Sequence, residues 1–156
     1  MHIEKVNSKD IKQVMDLEQR IFKENAFSHE LMERFYIYSK KGNNTLFLKL
    51  EISKRKNELI GFIIVVRDRF DRVNIVNFLI NPNYQNEGYG TYLLKYTLDK
   101  IRQMEDIKSV VLNVQVNNNI AINLYEKFNF KKNPFILKNY YQSGESAYIM
   151  ELVFER

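Results

Sequence analysis

Residues 81–98 read NPNYQNEGYGTYLLKYTL, and two of the chain's five glycines, Gly88 and Gly90, stand one residue apart within them. An apolar run over 73–80 precedes the glycines and leucines at helical spacing follow, so the pattern predicts a strand, a glycine turn and a helix in succession. A helix N-terminus offers free N–H groups and partial positive charge, and glycine lets an anion approach the backbone closely. Residues 85–91 are therefore a candidate pyrophosphate site, although glycines that merely ease a tight turn account for the same pattern.

Two familiar phosphate-binding loops are excluded by the residues that follow the glycines. A P-loop needs Lys and then Ser or Thr after its last glycine, whereas Gly90 is followed by Thr91 and Tyr92. The dinucleotide-binding fingerprint needs a third glycine further along the chain, and position 93 is Leu. An anion site in this loop would therefore be of another kind.

The composition predicts a single domain over residues 1–156. Hydrophobic residues make up 45% and charged residues 28% of the chain, which is ordinary for a soluble globular protein. No apolar run reaches the roughly 18 residues of a membrane span, and the polar N-terminus MHIEKVNSKD lacks a signal-peptide core. We therefore expect a cytoplasmic location and no membrane partner.

Composition and charge also exclude several kinds of site. The chain has no cysteine, which rules out disulfides, thiolate metal sites and cysteine nucleophiles. His2 and His29 have no partners at ligand spacing, so we expect no metal. The net charge of +5 is spread among acidic residues apart from the cluster SKRKN at 53–57. Because no helix-turn-helix or RNA-binding signature accompanies that charge, we expect no nucleic-acid partner.

Hydrophobic periodicity predicts a mixed α/β domain with the order β-α-α-β-β-β-α-β-α-β-β around one central sheet. The predicted strands are 3–6, 45–52, 59–66, 73–80, 109–116, 135–140 and 147–154, with the polar turn SKRKNE between the second and third and a charged connection at 67–72. Ser8 and Ser28 are expected to cap the first two helices, the second with Leu31, Phe35 and Tyr38 as its apolar face. The other two helices follow the glycine loop and cover 120–128.

A second segment, VVLNVQVNNNIAINLYEKFNF at 110–130, combines a strand, an Asn-rich turn and a helix that bears Tyr125. Together with YQNEGYGTYLL it closely resembles the GNAT superfamily of N-acetyltransferases. The ending NYYQSGESAYIM and the loop KENAF at 23–27 are similar to the RimI-like and archaeal N-terminal-α acetyltransferase group of that superfamily. The resemblance extends over most of the chain and implies the GNAT fold: a single mixed, mostly antiparallel sheet, splayed between its fourth and fifth strands, with helices on both faces.

The resemblance implies acetyl-CoA, or coenzyme A, as the cofactor. In the family the glycine loop binds the pyrophosphate, and the pantetheine arm lies in the gap between the splayed strands as a pseudo-strand. The cofactor-binding residues implied in this way are Phe78, Leu79, Ile80, Gln85, Asn86, Glu87, Gly88, Tyr89, Gly90, Thr91, Asn118 and Tyr125.

The catalytic group implied by the resemblance is Tyr125, as the general acid that protonates the departing thiolate; its helical position alone favours a core tyrosine. Related N-terminal acetyltransferases often carry Glu or His on the fifth strand and His or Tyr on the fourth. The matching positions are Asn113 and Asn74, which accept no proton near neutral pH and are expected to hold a water in place of a base. Glu24 remains as a base or substrate contact, although an exposed helix-end charge is equally consistent.

The same resemblance suggests the residues that wall the peptide entrance and the groups that polarise the carbonyl. The implied substrate-binding residues are Glu24, Phe27, Tyr140 and Tyr141, of which the two tyrosines are equally consistent with buried residues that close a hairpin. The backbone N–H of Ile80 is expected to polarise the acetyl carbonyl.

The missing base bears on the substrate, because an α-amine titrates near about 7.7–8.0 and a lysine near about 10.4. We therefore predict an acetyl-CoA-dependent N-acetyltransferase that acetylates the α-amino group of protein N-termini, by direct acetyl transfer in a ternary complex. The alternatives are a lysine or small-molecule amine acetyltransferase of the same superfamily, and a catalytically weak acyl-CoA-binding sensor or partner subunit. The expected partner is a peptide or protein N-terminus; the sequence leaves open the oligomeric state and the need for a partner subunit.

Overall fold

A computed structural model describes residues 2–42, 44–52 and 58–155. The strands are β1 (His2–Lys5), β2 (Thr45–Glu51), β3 (Leu59–Arg69), β4 (Arg72–Ile80), β5 (Ser109–Gln115), β6 (Lys131–Leu137) and β7 (Ala147–Val153). The helices are α1 (Ile11–Phe22), α2 (His29–Lys40), α3 (Tyr89–Arg102) and α4 (Asn119–Lys127), with short 3₁₀ turns at Ser8–Asp10, Lys23–Asn25 and Pro82–Tyr84. None of the helices within these described ranges is long and apolar enough to cross a membrane. Residues 53–57 of the predicted turn SKRKNE lie outside the described residues.

The seven strands form one sheet in the order β1-β2-β3-β4-β5-β7-β6. All neighbours are antiparallel except β4 and β5, which run parallel. Residues 72–75 of β4 pair with residues 109–112 of β5, although β4 continues to Ile80 and β5 to Gln115. The two strands therefore separate beyond this pairing, which confirms the predicted mixed, mostly antiparallel sheet with a splay between its fourth and fifth strands.

Two hydrophobic cores cover the two faces of the sheet. Side chains of the apolar strand β3 alternate between them, with Ile63 and Val65 in one core and Phe62 and Ile64 in the other. The first core also contains α3 and α4, through residues such as Leu93, Leu94, Leu98, Ile101 and Ile122. The second contains α1 and α2, through Val14, Met15, Leu17 and Met32. The helices thus lie on both faces, as predicted.

Residues 67–72, predicted as a charged connection, are mostly strand. β3 extends to Arg69 and β4 begins at Arg72. The charged side chains are satisfied within this tight hairpin, because Arg72 forms an ion pair with Asp68 at 2.9 Å and Arg67 donates to the Phe70 carbonyl at 2.8 Å. Charge alone is therefore a poor sign of a loop when the charged residues pair across a hairpin.

The strand predicted at 135–140 is also displaced along the chain. β6 occupies Lys131–Leu137, and Tyr140 lies beyond its end. β6 is an edge strand of the sheet, paired with β7 alone, and its residues up to Ile136 are exposed. An edge strand tolerates lysines where a central strand would carry apolar side chains, so only its last residues had the expected apolar pattern.

The predicted helix caps give one error and one confirmation. Asn7, not Ser8, begins the first helical segment: its side chain accepts from the Lys9 N–H at 2.9 Å, and Asp10 accepts from the Asn7 N–H at 2.8 Å, which together form a capping box. Ser28 caps α2 as predicted, by accepting from the Leu31 N–H at 3.1 Å.

The apolar face of α2 differs from the prediction. Its buried residue is Met32, whereas Leu31 and Phe35 are half-buried and Tyr38 is 53% exposed. A helix that contacts the sheet along one narrow stripe needs few buried positions, so aromatic residues at helical spacing do not all face the core.

Candidate active site

The separation of β4 and β5 opens a cleft of about 130 Å³. Six of the residues predicted for the site line it: Phe27, Phe78, Asn113, Asn118, Tyr125 and Tyr141. They come from the segment before α2, from both splayed strands, from α4 and from the segment between β6 and β7. The splay is thus the feature that brings distant parts of the chain to one place.

Backbone groups of β4 face this gap. The Asn81 N–H donates to the Ile60 carbonyl of β3 at 2.6 Å, and N–H groups alternate in direction along a strand. Those of Phe78 and Ile80 therefore point away from β3, towards the side where β5 has separated. The Gln85 side chain donates to the Ile80 carbonyl at 3.4 Å. The backbone N–H of Leu79 instead points towards β3, and its side chain is buried in the core that contains α1 and α2.

The glycine loop leads from the end of β4 into α3. Asn86 (φ 65°) and Gly88 (φ 85°) both have left-handed backbones, and Gly88 is the residue before the first turn of α3, with no side-chain cap. The chain turns sharply here, and no side chain in the described part of the chain caps the first N–H groups of α3. Glycine at position 88 is accounted for by this backbone conformation.

Gly90 has a different role from Gly88. It lies in the first turn of α3, where a Cβ would stand 3.4 Å from Leu124 Cδ2 and 3.6 Å from Ile80 Cγ1. The glycine therefore lets α3 begin close to both β4 and α4, beside the Phe78 end of the cleft. The loop residues predicted to bind pyrophosphate, 85–91, adjoin the cleft but do not line it.

Tyr125 lies at the inner wall of the cleft. Only 6% of its surface is exposed, and its ring packs against those of Phe78 and Phe130, with centroids 6.2 Å and 5.6 Å away. No group in the described part of the chain hydrogen-bonds to its hydroxyl. Burial raises the pKa of the Tyr125 phenol well above its ordinary value, and Tyr141 adds to the rise. Tyr125 is therefore a protonated donor at neutral pH.

The two asparagines predicted to hold a water are not brought together. Asn113 lines the cleft and donates to the Tyr140 hydroxyl at 3.1 Å. Asn74 lies where β4 is still paired with β5, opposite Val111, and its amide is 3.4 Å from Asp68 Oδ2. Asn113 is thus at the site, whereas Asn74 lies outside the cleft.

The predicted entrance residues divide in a similar way. Phe27 lines the cleft and packs against Phe35, with ring centroids 5.8 Å apart. Tyr140 and Tyr141 meet edge to face at 4.9 Å; Tyr141 lines the cleft and Tyr140 is 51% exposed. Glu24 is exposed and does not line the cleft.

Asn118 has a local structural role. Its side chain accepts from the Ala121 N–H at 3.2 Å and so caps the start of α4. The cap fixes the direction of the helix that carries Tyr125, which makes the Asn-rich turn part of the construction of the site.

A buried carboxylate that the sequence analysis missed also lines the cleft. Glu18 of α1 is 1% exposed; its two oxygens accept from the Phe27 N–H at 2.9 Å and from Asn77 Nδ2 at 2.8 Å. Burial raises the pKa of Glu18, and the hydrogen bonds from Phe27 and Asn77 oppose that rise. The available signal was its spacing, since Glu18 stands four residues after the buried Val14 on the apolar face of α1.

The second missed feature is a pair of hydrogen bonds between the segment after α1 and the segment between β6 and β7, both of which contribute residues to the cleft. The Asn25 amide donates to Ser143 Oγ at 3.0 Å and accepts from the Ser143 N–H at 3.0 Å. Asn25 follows α1, and Ser143 lies between β6 and β7. Because the pair is separated by 118 residues, no local sequence pattern announces it. We call this pair of hydrogen bonds the Asn25–Ser143 latch.

Comparison with known proteins agrees with this architecture. Residues 11–130 match the acetyltransferase (GNAT) family. A Bacillus subtilis protein provisionally named a [ribosomal protein bS18]-alanine N-acetyltransferase is 30% identical over 146 residues, 90% of this chain and 87% of that protein. The structure of Arabidopsis thaliana NAA60 in complex with acetyl-CoA superposes with a TM-score of 0.84 at 18% identity, over 98% of both chains.

Archaeal relatives match over a shorter segment. The N-alpha-acetyltransferase of Sulfurisphaera tokodaii is 36% identical over 77 residues, which are 49% of this chain and 46% of that protein. The match thus spans somewhat less than half the length of that relative. The family match, by contrast, covers well over half of the chain. The chain therefore belongs to the acetyltransferase (GNAT) family, which confirms at that level the predicted family and enzyme class (acyltransferase).

Proposed function

We propose that the protein is an acetyl-CoA-dependent N-acetyltransferase that acetylates the α-amino group of protein N-termini, by direct acetyl transfer in a ternary complex. The observation that carries this proposal is the cleft between β4 and β5. The part of β4 that β5 leaves unpaired, the predicted entrance residues Phe27 and Tyr141, and the phenol of Tyr125 all line this one cleft. The names of the bacterial and archaeal relatives, which refer to ribosomal-protein alanine and N-alpha acetylation, support the α-amine over other amines.

The donor side of the cleft fits acetyl-CoA, which supplies the activated acetyl group. The N–H groups of Phe78 and Ile80 face the gap and suit an extended pantetheine arm. The Ile80 N–H is also suited to polarise the acetyl carbonyl. The free N–H groups at the start of α3, reached past Gly88 and Gly90, suit the pyrophosphate. Gln85, Asn86, Glu87, Tyr89 and Thr91 complete the loop that holds it.

Tyr125 is the proton donor in this proposal. Its raised pKa keeps the proton on the phenol over the whole neutral range, and the hydroxyl has no partner among the described residues. Phenols are weak acids, so the proton moves only when a stronger base forms beside it, such as a thiolate confined to the same dry cleft. The buried position thus holds the proton until the thiol leaves.

The amine side favours a substrate that loses its proton readily. Asn113, Asn118 and Asn77 supply amides at the cleft, which orient a substrate without accepting a proton. An α-amine has a pKa of about 7.7–8.0 and a lysine of about 10.4, so an α-amine reaches its neutral form at a far smaller free-energy cost. Phe27, Tyr140 and Tyr141 wall the entrance through which the N-terminus would pass.

The test is thiol release from acetyl-CoA with peptides that carry free N-termini of varied sequence. The same assay includes an N-terminally blocked peptide with one lysine, a small diamine, and the Tyr125→Phe variant as control. We expect turnover on free N-termini that Tyr125→Phe reduces strongly. Faster turnover on the blocked lysine peptide or on the diamine would replace the proposed substrate with one of the other amines. Binding of acetyl-CoA without any turnover would favour an acyl-CoA sensor.

A further inference from the structure

Glu18 is the one carboxylate among the described residues that line the cleft. The other ionisable groups on that lining are the phenols of Tyr125 and Tyr141, and no described lysine, arginine or histidine lines it. Glu145, in the segment between β6 and β7, interacts electrostatically with Tyr141 but does not line the cleft. An ammonium ion that enters the cleft therefore meets a single full negative charge, at Glu18.

The hydrogen bonds of Glu18 hold its carboxylate in place and leave part of its acceptor capacity free. Each oxygen accepts one bond, from the Phe27 N–H of the entrance segment and from Asn77 Nδ2 of β4. An ionised carboxylate offers about four acceptor sites, so each oxygen keeps a lone pair for a further donor. The group is thus anchored between the amine side of the cleft and the strand that faces the acyl donor.

Hydrogen bonding alone does not account for a charge at this position. A glutamine at 18 would accept from the Phe27 N–H with its carbonyl and donate to the Asn77 carbonyl after rotation of that amide. It would do so without the desolvation cost of a buried carboxylate that has no cationic partner in the described chain. A function that needs the charge explains the carboxylate better than a purely structural one.

We propose, on the basis of the proposed function, that Glu18 binds the substrate's α-ammonium group and accepts its first proton. The ammonium becomes a neutral amine as the carboxylate becomes a carboxylic acid, which then returns the proton to solvent. The amine nitrogen forms the C–N bond while the C–S bond breaks, and Tyr125 gives its proton to the sulfur. The second proton lost by the nitrogen restores the phenol, so the products are an amide, a thiol and one released proton. Glu18 thereby takes the role of the base, in place of the water predicted to be held by Asn113 and Asn74, or of Glu24.

The experiment compares Glu18→Gln with the wild type and with Asp16→Asn, which removes an exposed carboxylate of the same helix α1 outside the cleft. We expect Glu18→Gln to lower kcat/KM on the best peptide about 10²-fold or more at pH 7. The deficit should shrink as the pH rises past about 8, where the α-amine is already neutral. Asp16→Asn should stay within about 2-fold of the wild type at every pH. A loss in Glu18→Gln that does not change with pH would mean a structural role and overturn the proposal, as would retained activity.

A binding measurement keeps the inference separate from the proposed function. With CoA present, the wild type should bind a free N-terminal peptide at least about 10-fold more tightly than the same peptide with an acetylated N-terminus. Glu18→Gln should lose that preference while its affinity for acetyl-CoA stays unchanged. Equal preference in the two proteins would overturn the role of Glu18. If the wild type acetylates lysine or a diamine instead, the proposed function fails, and the same comparison is made with that amine.

Discussion

The residue scale decides the chemistry here, because three side chains in one small cleft have environments unlike those of their surface counterparts. Among the described residues, Tyr125 is a phenol without a hydrogen-bond partner and Glu18 is a carboxylate without a cationic partner. Asn113 donates a hydrogen bond to Tyr140. Burial favours the neutral form of both Tyr125 and Glu18. The same desolvation therefore keeps a proton on the donor and makes the carboxylate more willing to accept one.

Tyr125→Phe should separate catalysis from folding. Removing the hydroxyl deletes no hydrogen bond within the described chain and leaves the ring packing on Phe78 and Phe130 unchanged. We expect kcat to fall about 10²–10⁴-fold, with the acetyl-CoA affinity unchanged and the free energy of unfolding within about 0.5 kcal/mol of the wild type. Thiol release and thermal unfolding measure the two effects. An unfolding change of several kcal/mol would show instead that the phenol is structural.

Glu18→Gln should stabilise the folded protein at neutral pH. The pKa of Glu18 is raised in the folded state, so the folded protein binds the proton more tightly than the unfolded chain does. The protonated carboxyl therefore adds to the free energy of unfolding below the unfolded pKa, and this contribution is lost as the pH rises through the folded pKa. At pH 7 the cost of burying the charged carboxylate therefore lowers the free energy of unfolding of the wild type, and glutamine does not carry that cost. We expect a melting temperature above that of the wild type at pH 7, by about 2–4 °C for each kcal/mol, and a difference that disappears towards pH 3. A variant less stable at pH 7 would contradict this.

At the scale of elements, the start of α3 shows why the two glycines of 88–90 differ. Gly88 satisfies a left-handed turn, and Gly90 lets the first turn of the helix approach β4 and α4. A third position that requires glycine is Gly61 of β3, where a Cβ would stand 2.4 Å from the Leu79 carbonyl oxygen. Nothing in the strand pattern distinguishes Gly61, because the constraint comes from the neighbouring strand.

Gly61→Ala and Gly90→Ala should therefore have opposite profiles. We expect Gly61→Ala to lower the free energy of unfolding by about 1–3 kcal/mol, because backbone of β4 must move. Gly90→Ala places its Cβ at ordinary contact distance from Leu124 and gains helix propensity, so its stability should match or exceed the wild type by up to about 1 kcal/mol. It should nevertheless weaken acetyl-CoA binding about 10-fold or more, because the methyl group stands beside Ile80 and Phe78, where the proposed pantetheine arm passes β4. Calorimetry measures the affinity and denaturant unfolding measures the stability; unchanged acetyl-CoA affinity in Gly90→Ala would argue against acetyl-CoA binding beside Gly90.

Elements with one clear environment were predictable from the sequence, and those with a mixed one were not. β3, β4 and α3 have periodic apolar patterns because their neighbours bury them, and the Gly88 turn follows from its residues. β6 was displaced because an edge strand is allowed to be polar, and Arg67 to Arg72 looked like a loop because its charges pair across a hairpin. Glu18 was missed because a glutamate on an amphipathic helix usually faces solvent, and only the tertiary structure shows that it faces a cleft.

At the scale of the whole molecule, the site depends on segments that the chain brings together from far apart. The splay of β4 and β5 creates the cleft, α4 brings Tyr125 to it, and the Asn25–Ser143 latch joins the segment after α1 to the one before β7. The latch is a bidentate contact between an amide and a serine, and its Asn25 lines the same cleft as Phe27 and Tyr141. It couples two segments whose other hydrogen bonds run elsewhere, such as those from Phe27 to Glu18 and from Asn113 to Tyr140.

The latch should matter for the amine substrate and not for the acyl donor. We expect Asn25→Ala and Ser143→Ala each to raise the KM for the peptide about 3–10-fold while the affinity for acetyl-CoA stays unchanged, because neither residue contacts the β4 edge or the start of α3. Ser143→Ala keeps the backbone N–H that donates to Asn25 and removes one of the two bonds, so its effect should be the smaller. In a double-mutant cycle the two changes should be non-additive, with a coupling energy of about 0.5–1.4 kcal/mol, because neither single change exceeds about 10-fold in KM. Additive effects on KM would show that the two segments act independently, and that the cleft entrance is shaped by each of them alone.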